Sequence, residues 1–362
     1  MRLSRTSAAQ LTIVAAAVLL ALWPPSPFTV ERYYARWLYP IAQSWVTPLS
    51  NRVPFALFDA AIVSLASTAI AIWIRAIRRG RKKQLLRSLG RGLASSVVLL
   101  AFAYLWFLAA WGLNYARPPL ESQMPFDAAR ITPQTVRALA EHSIRRANQT
   151  YSSAHAAGFP AIDARPARLI EALHQVEHEF GRPRPTIFAT PKWSILTPFY
   201  RASGVSGQLA PFFLETLLNP DLTGPEREAT LAHEWAHLSG YAPESDASFI
   251  GLLAALRAGP SAEYSAWLDL VSESANQLQP VTQRVVLQQL DAGPRRDQDA
   301  IRERLTKLVR PVERAAWSTY DQMLKSQGVE EGVQSYSRVI QLLIGSDVLQ
   351  LSKSQDKTPG PQ

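Results

Sequence analysis

The stretch Leu231-Ala232-His233-Glu234-Trp235-Ala236-His237-Leu238-Ser239-Gly240 contains the pattern H-E-x-x-H. On a helix, residues four apart stand one above the other, so His233 and His237 can grip one metal ion. Glu234 faces the neighbouring side, where it can take the proton of an attacking water. A catalytic zinc needs a third protein ligand and an open fourth position. Past Gly240 the sequence predicts a tight turn, and Pro243 opens a second helix with Glu244 in its first turn. Glu244 is the expected third ligand. Asp246 is the reserve, on a different side of that second helix.

A rival pattern exists. His174-Gln175-Val176-Glu177-His178 fits the inverted order H-x-x-E-H. Chance does not separate the two, but context does. Thr223-Gly224-Pro225-Glu226 reads as a capping box with Pro in the first turn, and Gly240 as a helix stop. Leu231, Trp235 and Leu238 form an apolar face, and the two histidines point elsewhere together. His174 and His178 instead flank the polar side of an amphipathic helix, with Gly181-Arg182-Pro183-Arg184-Pro185 next rather than a carboxylate-bearing helix. They read as surface histidines. His142 and His155 belong to no motif. There is no cysteine, so disulfides, thiol nucleophiles and cysteine-based zinc sites are excluded. Any metal must be held by histidine and carboxylate.

The elements that must position this chemistry divide into two parts. Residues 1–114 hold 13 of the 38 basic residues and only 2 of the 29 acidic ones, so the formal charge of +9 belongs to the apolar N-terminal third. A basic, aromatic-interleaved patch on a soluble domain is lacking, and nucleic acid is not an expected partner. Three membrane spans are predicted at about residues 8–23, 55–74 and 93–113. A cleaved signal peptide is the alternative for the first. The sequence Trp23-Pro24-Pro25-Ser26-Pro27 offers no small-x-small cleavage site and favours a retained anchor. Residues 28–54, with Tyr33, Tyr34, Trp37, Tyr39 and Trp45, read as an interfacial loop or as a contribution to the core. Arg75 to Arg91 carries eight cationic residues in 17 positions and is expected to stay cytoplasmic. The N-terminus is then inside, and everything past the third span is outside.

Residues 115–350 read as a globular domain. Helices are expected over Thr132–Asn148 and Asp163–Phe180, a short strand over Thr186–Thr190, and a bent strand within Trp193–Leu209. Helical periodicity runs from Thr223 to Leu349. Residues 351–362 read as a disordered tail.

Asn114-Tyr115-x-Arg117-Pro118, Gly204-Val205-Ser206-Gly207, the HExxHxxG stretch, Glu244-Ser245-Asp246-Ala247-Ser248-Phe249 and Gly332-Val333-Gln334-Ser335-Tyr336-Ser337 follow one another in that order. In this the chain resembles the bacterial domain-of-unknown-function 3810 family, membrane proteins with an extracytoplasmic zincin-like domain. The resemblance runs from the first span to about Leu343; its specific part is HExxH, and the family name supplies no substrate. More broadly the site is similar to that of gluzincins. That likeness implies a zinc peptidase, a Glu ligand on the following helix, and an edge strand that binds substrate backbone. The Tyr200 to Leu209 stretch is similar in position to that strand. Two departures stand out: the interval from His237 to Glu244 is short, closer to metzincin spacing, and Ser248 occupies a position where gluzincins often have Asp.

The expected architecture is therefore mainly α, with three N-terminal transmembrane helices and a zincin-like α+β domain containing a small sheet. The expected function is a zinc metallopeptidase of the bacterial inner membrane, its C-terminal domain extracytoplasmic and its substrate a protein or peptide. The alternative is an inactive zincin-like sensor or scaffold. Glu234 is the expected general base. Tyr336 is the first choice for an oxyanion donor, with Tyr320 and Arg295 behind it and core packing the plainer role for either tyrosine.

Overall fold

The computed structural model describes residues 5–79, 85–327, 329 and 338–350. Helix α1 (Arg5–Leu22) is followed by a helical arm made of α2 (Pro27–Thr29), a π-wound stretch (Val30–Leu38) and α3 (Tyr39–Asn51). Ser26 caps the arm by accepting the Thr29 amide, with Pro27 in its first turn. The loop expected over residues 28–54 is thus mostly helix, and the reason is its two faces. Val30, Tyr34, Tyr39, Gln43, Thr47 and Ser50 are buried against the rest of the chain, while Tyr33, Trp37, Ile41, Trp45 and Leu49 face outward at helical spacing.

Helices α4 (Leu57–Arg79) and α5 (Leu85–Ala110) are each long and apolar enough to cross a membrane. A third crossing exists if α1 and the arm, bent by 115° at their junction, count as one broken span. The helix of the last span starts well before the expected residue 93, so Arg87 and Arg91 lie within α5.

Beyond the spans the chain is mainly helical. Helix α6 (Pro133–Ala157) opens on a capping box between Thr132 and Thr135 and runs past its expected end, because Thr150 and Ala154 continue its buried face. It is followed by α7 (Ala167–Glu179) and α8 (Thr197–Ser203), then strands β1 (Gly207–Ala210) and β2 (Glu215–Leu218). The helices α9 (Gly224–Leu238), α10 (Glu244–Ala255), α11 (Pro260–Ala275), α12 (Pro280–Leu287), α13 (Ala292–Leu305), α14 (Arg310–Ser326) and α15 (Arg338–Ser346) complete the order. The strands form an antiparallel hairpin in which Gly207 faces Leu218 and Ala210 faces Glu215.

Helix α9 lies at the centre, packed by α10, α11, α7 and both strands. Trp235 is fully buried in it, stacked on Phe188 and donating its indole N–H to the Ala189 carbonyl at 3.0 Å. Two sequence expectations fail nearby. Residues 186–190 run extended but form no strand, because side chains take their backbone groups: Glu177 receives the Thr186 amide, Gln43 that of Ile187 and Asn51 that of Thr190. Within 193–209, only β1 is strand. Pro198 in the first turn starts α8, and Gly204, at φ +81°, ends it.

Candidate metal centre

The start and stop of α9 follow from its sequence. Thr223 donates its amide to Glu226 at 2.9 Å in the capping box, and Gly240 takes φ +86° as the chain leaves the helix. The turn Gly240-Tyr241-Ala242-Pro243 then sends α10 back along α9. Gly251 makes this approach close: a Cβ there would lie 2.8 Å from the carbonyl carbon of Ala232 and the amide nitrogen of His233. Backbone therefore meets backbone beside the first histidine.

The result is a convergence. The Nε2 atoms of His233 and His237 lie 3.1 and 3.4 Å from the same oxygen of Glu244, Oε2. That oxygen is buried and accepts no well-aligned hydrogen bond. The ligating atoms of these three residues all lie within 4.8 Å of one another, so together they could hold a metal ion. Both rings are aimed by their far nitrogens: His237 Nδ1 meets the Tyr241 carbonyl at 2.8 Å, and His233 Nδ1 meets the Ser248 hydroxyl at 3.1 Å. His233 keeps 21% of its side-chain surface exposed against 7% for His237 and 3% for Glu244, so the cluster opens to solvent on the His233 side.

Charge follows the same geometry. Burial pushes the Glu244 carboxyl up, but His237 and His233 outweigh it and hold it well below the usual carboxylate range. Burial likewise opposes the charged form of His237, yet Glu244 overrides it and lifts the imidazole to about 9. Glu234 differs: burial dominates and raises it. It takes a backbone hydrogen bond from Leu209 of β1, while its Oε2 has no partner. A Cβ at Gly207 would stand 2.8 Å from Glu234 Oε1, so only glycine lets the strand lie this close.

A family model described as "Protein of unknown function (DUF3810)" matches residues 34–344. The chain belongs to that family. No curated protein and no solved structure matches it. The DUF3810 match takes in most of the helical arm, both long apolar helices and the His-His-Glu cluster.

The remaining sequence candidates fall as follows. Asp246 is buried away from the cluster, with the Ser245 hydroxyl 3.2 Å from it. Tyr336 lies outside the described residues. Tyr320 comes to the cluster from α14, its hydroxyl donating to Glu244 Oε1 and sharing a hydrogen bond with half-buried Tyr115. Arg295 does not come near: its guanidinium serves the Leu290 carbonyl at 2.7 Å. His174 is partly buried, bonded to the Thr186 carbonyl and stacked on Phe188, whereas His178 is exposed.

Sequence reasoning missed the groups at the end of α9. Four side chains bind its last carbonyls and those just beyond: Trp111 that of His237 at 2.9 Å, Tyr39 that of Leu238 at 2.7 Å, Arg182 that of Ser239, and Arg117 that of Gly240 at 2.7 Å. They satisfy acceptors that a helix C-terminus leaves, and the His237 carbonyl takes the Gly240 amide as well, at 2.8 Å. Trp111 follows α5 directly and Tyr39 starts α3, so the membrane-proximal elements hold the end of the histidine helix. The only signal in the sequence was the aromatic and basic content of these segments, which names no partner.

Proposed function

We propose that this protein is a membrane-anchored, zinc-dependent peptidase acting outside the cytoplasm at the bacterial inner membrane. The observation that carries this reading is the convergence of two imidazole Nε2 atoms on one buried Glu244 oxygen beside a second buried carboxylate, Glu234. The donor set suits zinc. A tetrahedral ion with bonds of roughly 2.0–2.1 Å keeps its ligands about 3.3 Å apart, and the cluster offers 3.1 and 3.4 Å. His233, His237 and Glu244 would hold the ion. When bound, zinc would polarise the scissile carbonyl and make water acidic enough to attack near neutral pH.

The protein's own residues supply the rest. Glu234 takes the proton of water as its oxygen bonds to the carbonyl carbon, and passes it to the leaving amine as the C–N bond breaks. Its raised pKa suits both halves of that task. The edge of β1 away from β2 carries no strand among the described residues, and a substrate backbone can add there with little sequence preference. Tyr320 is the hydroxyl we assign to the developing oxyanion. The basic Arg75–Arg91 segment, read by the positive-inside rule, orients the site outward.

Glu234→Gln tests the reading. The purified full-length variant should retain one zinc per chain and lose hydrolysis of an unfolded protein substrate. Unchanged hydrolysis would sink the role of Glu234, and a wild type without zinc would sink the metal. A second reading, a metal-holding sensor or scaffold without turnover, draws on Ser248: a hydroxyl behind His233 raises ligand basicity less than a carboxylate does. It predicts a wild type that holds zinc yet cleaves nothing.

A further inference from the structure

The outer end of α4 is bound to the sheet that flanks Glu234. The amides of Leu57 and Phe58, at the start of that helix, donate to the two oxygens of Glu215 in β2 at 3.0 and 2.9 Å. An acidic side chain from a strand thus does the work of an N-cap. Lys192 pairs with Glu215 at 2.7 Å and also donates to the carbonyls of Ser50 and Phe55. Asp59, in the first turn of α4, accepts the Ser194 hydroxyl and, at 2.9 Å, the Ile195 amide. Glu215, Lys192 and Asp59 are thus each partnered, as charges leaving water require.

The hairpin tip sits at the same level. Phe212 stacks on Phe58 of α4 at 6.2 Å and meets Trp106 of α5 edge-on at 5.4 Å, and Phe213 meets Trp106 at 5.2 Å. Residues 192–195 and 212–215 therefore stand at the depth where the apolar helices emerge.

From this loop, large apolar side chains face outward with little protein cover: Trp193 is 63% exposed, Ile195 50% and Phe199 42%. Trp45, Leu49 and Phe55 of the arm and the turn after it are exposed as well. A groove of about 800 Å³ beside this loop is lined by Val53, Pro54, Trp193 and Ile195 together with the polar Asn51 and Asp163. Aromatic and aliphatic side chains at the end of a span belong at the lipid–water boundary.

We propose that Trp193, Ile195 and Phe199 enter the headgroup layer of the bilayer and seat the His-His-Glu domain on the membrane surface. The seat continues the interface of the spans and does not depend on the peptidase reading. It is rigidly joined to the site. Phe199 faces out of α8, while its neighbour Tyr200 is fully buried and donates to Gln208 of β1 at 2.9 Å. Gln208 adjoins Gly207, on which Glu234 rests. Strand β1 advances about 10 Å from Gly207 to Ala210, where the turn that carries Phe212 begins.

Because the chain lacks cysteine, single cysteines can report on this directly. Ile195→Cys, Phe199→Cys and, as a water-facing control on α12, Val281→Cys would each carry an environment-sensitive fluorophore. The full-length protein would be held in lipid nanodiscs with or without lipids bearing a shallow nitroxide. The label at 195 and at 199 should be quenched about twofold or more, and the label at 281 unchanged. Quenching at 195 and 199 no greater than at 281 overturns the proposal. So does blue-shifted emission that the nitroxide lipid leaves untouched, because protein rather than lipid would then cover the loop.

Discussion

Helices α7 and α9 each carry two histidines four apart with a glutamate between them, and they end up doing different things. In α7 the glutamate and the first histidine of the pattern are spent locally. Glu177 holds the Thr186 amide and hydroxyl and pairs with Arg182 at 3.2 Å, and His174 is bonded to the Thr186 carbonyl. Among the described residues, the shallow depression beside His174 and His178 is lined by α7 alone and receives no converging donors from another helix. In α9 the neighbouring helix supplies a third donor, and two carboxylate oxygens, on Glu234 and Glu244, are left buried without a hydrogen bond. The spacing of two histidines is shared. The glycine that lets α10 touch α9 is not.

The largest effect expected from this contrast is on metal. Under the zinc reading, His233→Ala lowers zinc affinity on the order of a thousandfold or more, since a ligand and its share of the binding energy are lost. His178→Ala leaves it unchanged. Isothermal titration with zinc separates the two, and equal losses would abolish the distinction between the helices.

Next comes the approach of the helices. Gly251→Ala places a methyl 2.8 Å from backbone atoms that cannot swing aside, so α10 must shift and Glu244 with it. We expect zinc affinity to fall about ten- to a hundredfold, in the range of other perturbations behind a ligand, and stability to fall by about 1–3 kcal/mol. Zinc titration and chemical denaturation of the same preparation measure both.

The smallest effect concerns the two carboxylates of α10. Burial lifts Asp246 to about 6, above the ordinary value of about 3.9 it has unfolded. The folded state therefore binds the extra proton, and stability falls as pH rises through that window. Asp246→Asn should match wild type near pH 4 and exceed it by on the order of 2 kcal/mol at pH 7.5. Denaturation midpoints at the two pH values test this, and a variant weaker at pH 7.5 would contradict it.

Much of the cluster was legible because its determinants are local. HExxH, the capping box at Thr223, the stop at Gly240 and Glu244 after Pro243 all lie within one short stretch, where helical geometry alone fixes neighbours. The two long apolar helices were legible for the same reason. What escaped depends on distant pairs. Residues 186–190 have a strand-like composition, but side chains of Gln43 and Asn51, far away in sequence, take the hydrogen bonds a strand would use. Gly207 and Gly251 read as ordinary glycines until the groups pressed against them are seen. Tyr320 reaches Glu244 from a helix whose sequence shows only a partly buried face.

The carbonyls at the end of α9 bear on how far the protein can be dismantled. Cutting the chain between Trp111 and Asn114 to release the remainder would remove Tyr39 and Trp111, leaving the Leu238 carbonyl without its side-chain donor and the His237 carbonyl with the Gly240 amide alone. A buried carbonyl left unpaired costs about 1–3 kcal/mol, and the hydrophobic core would also surrender Val30, Tyr34 and Tyr39. The His-His-Glu cluster is thus a property of the intact membrane protein, not of a head that can be shed and studied alone.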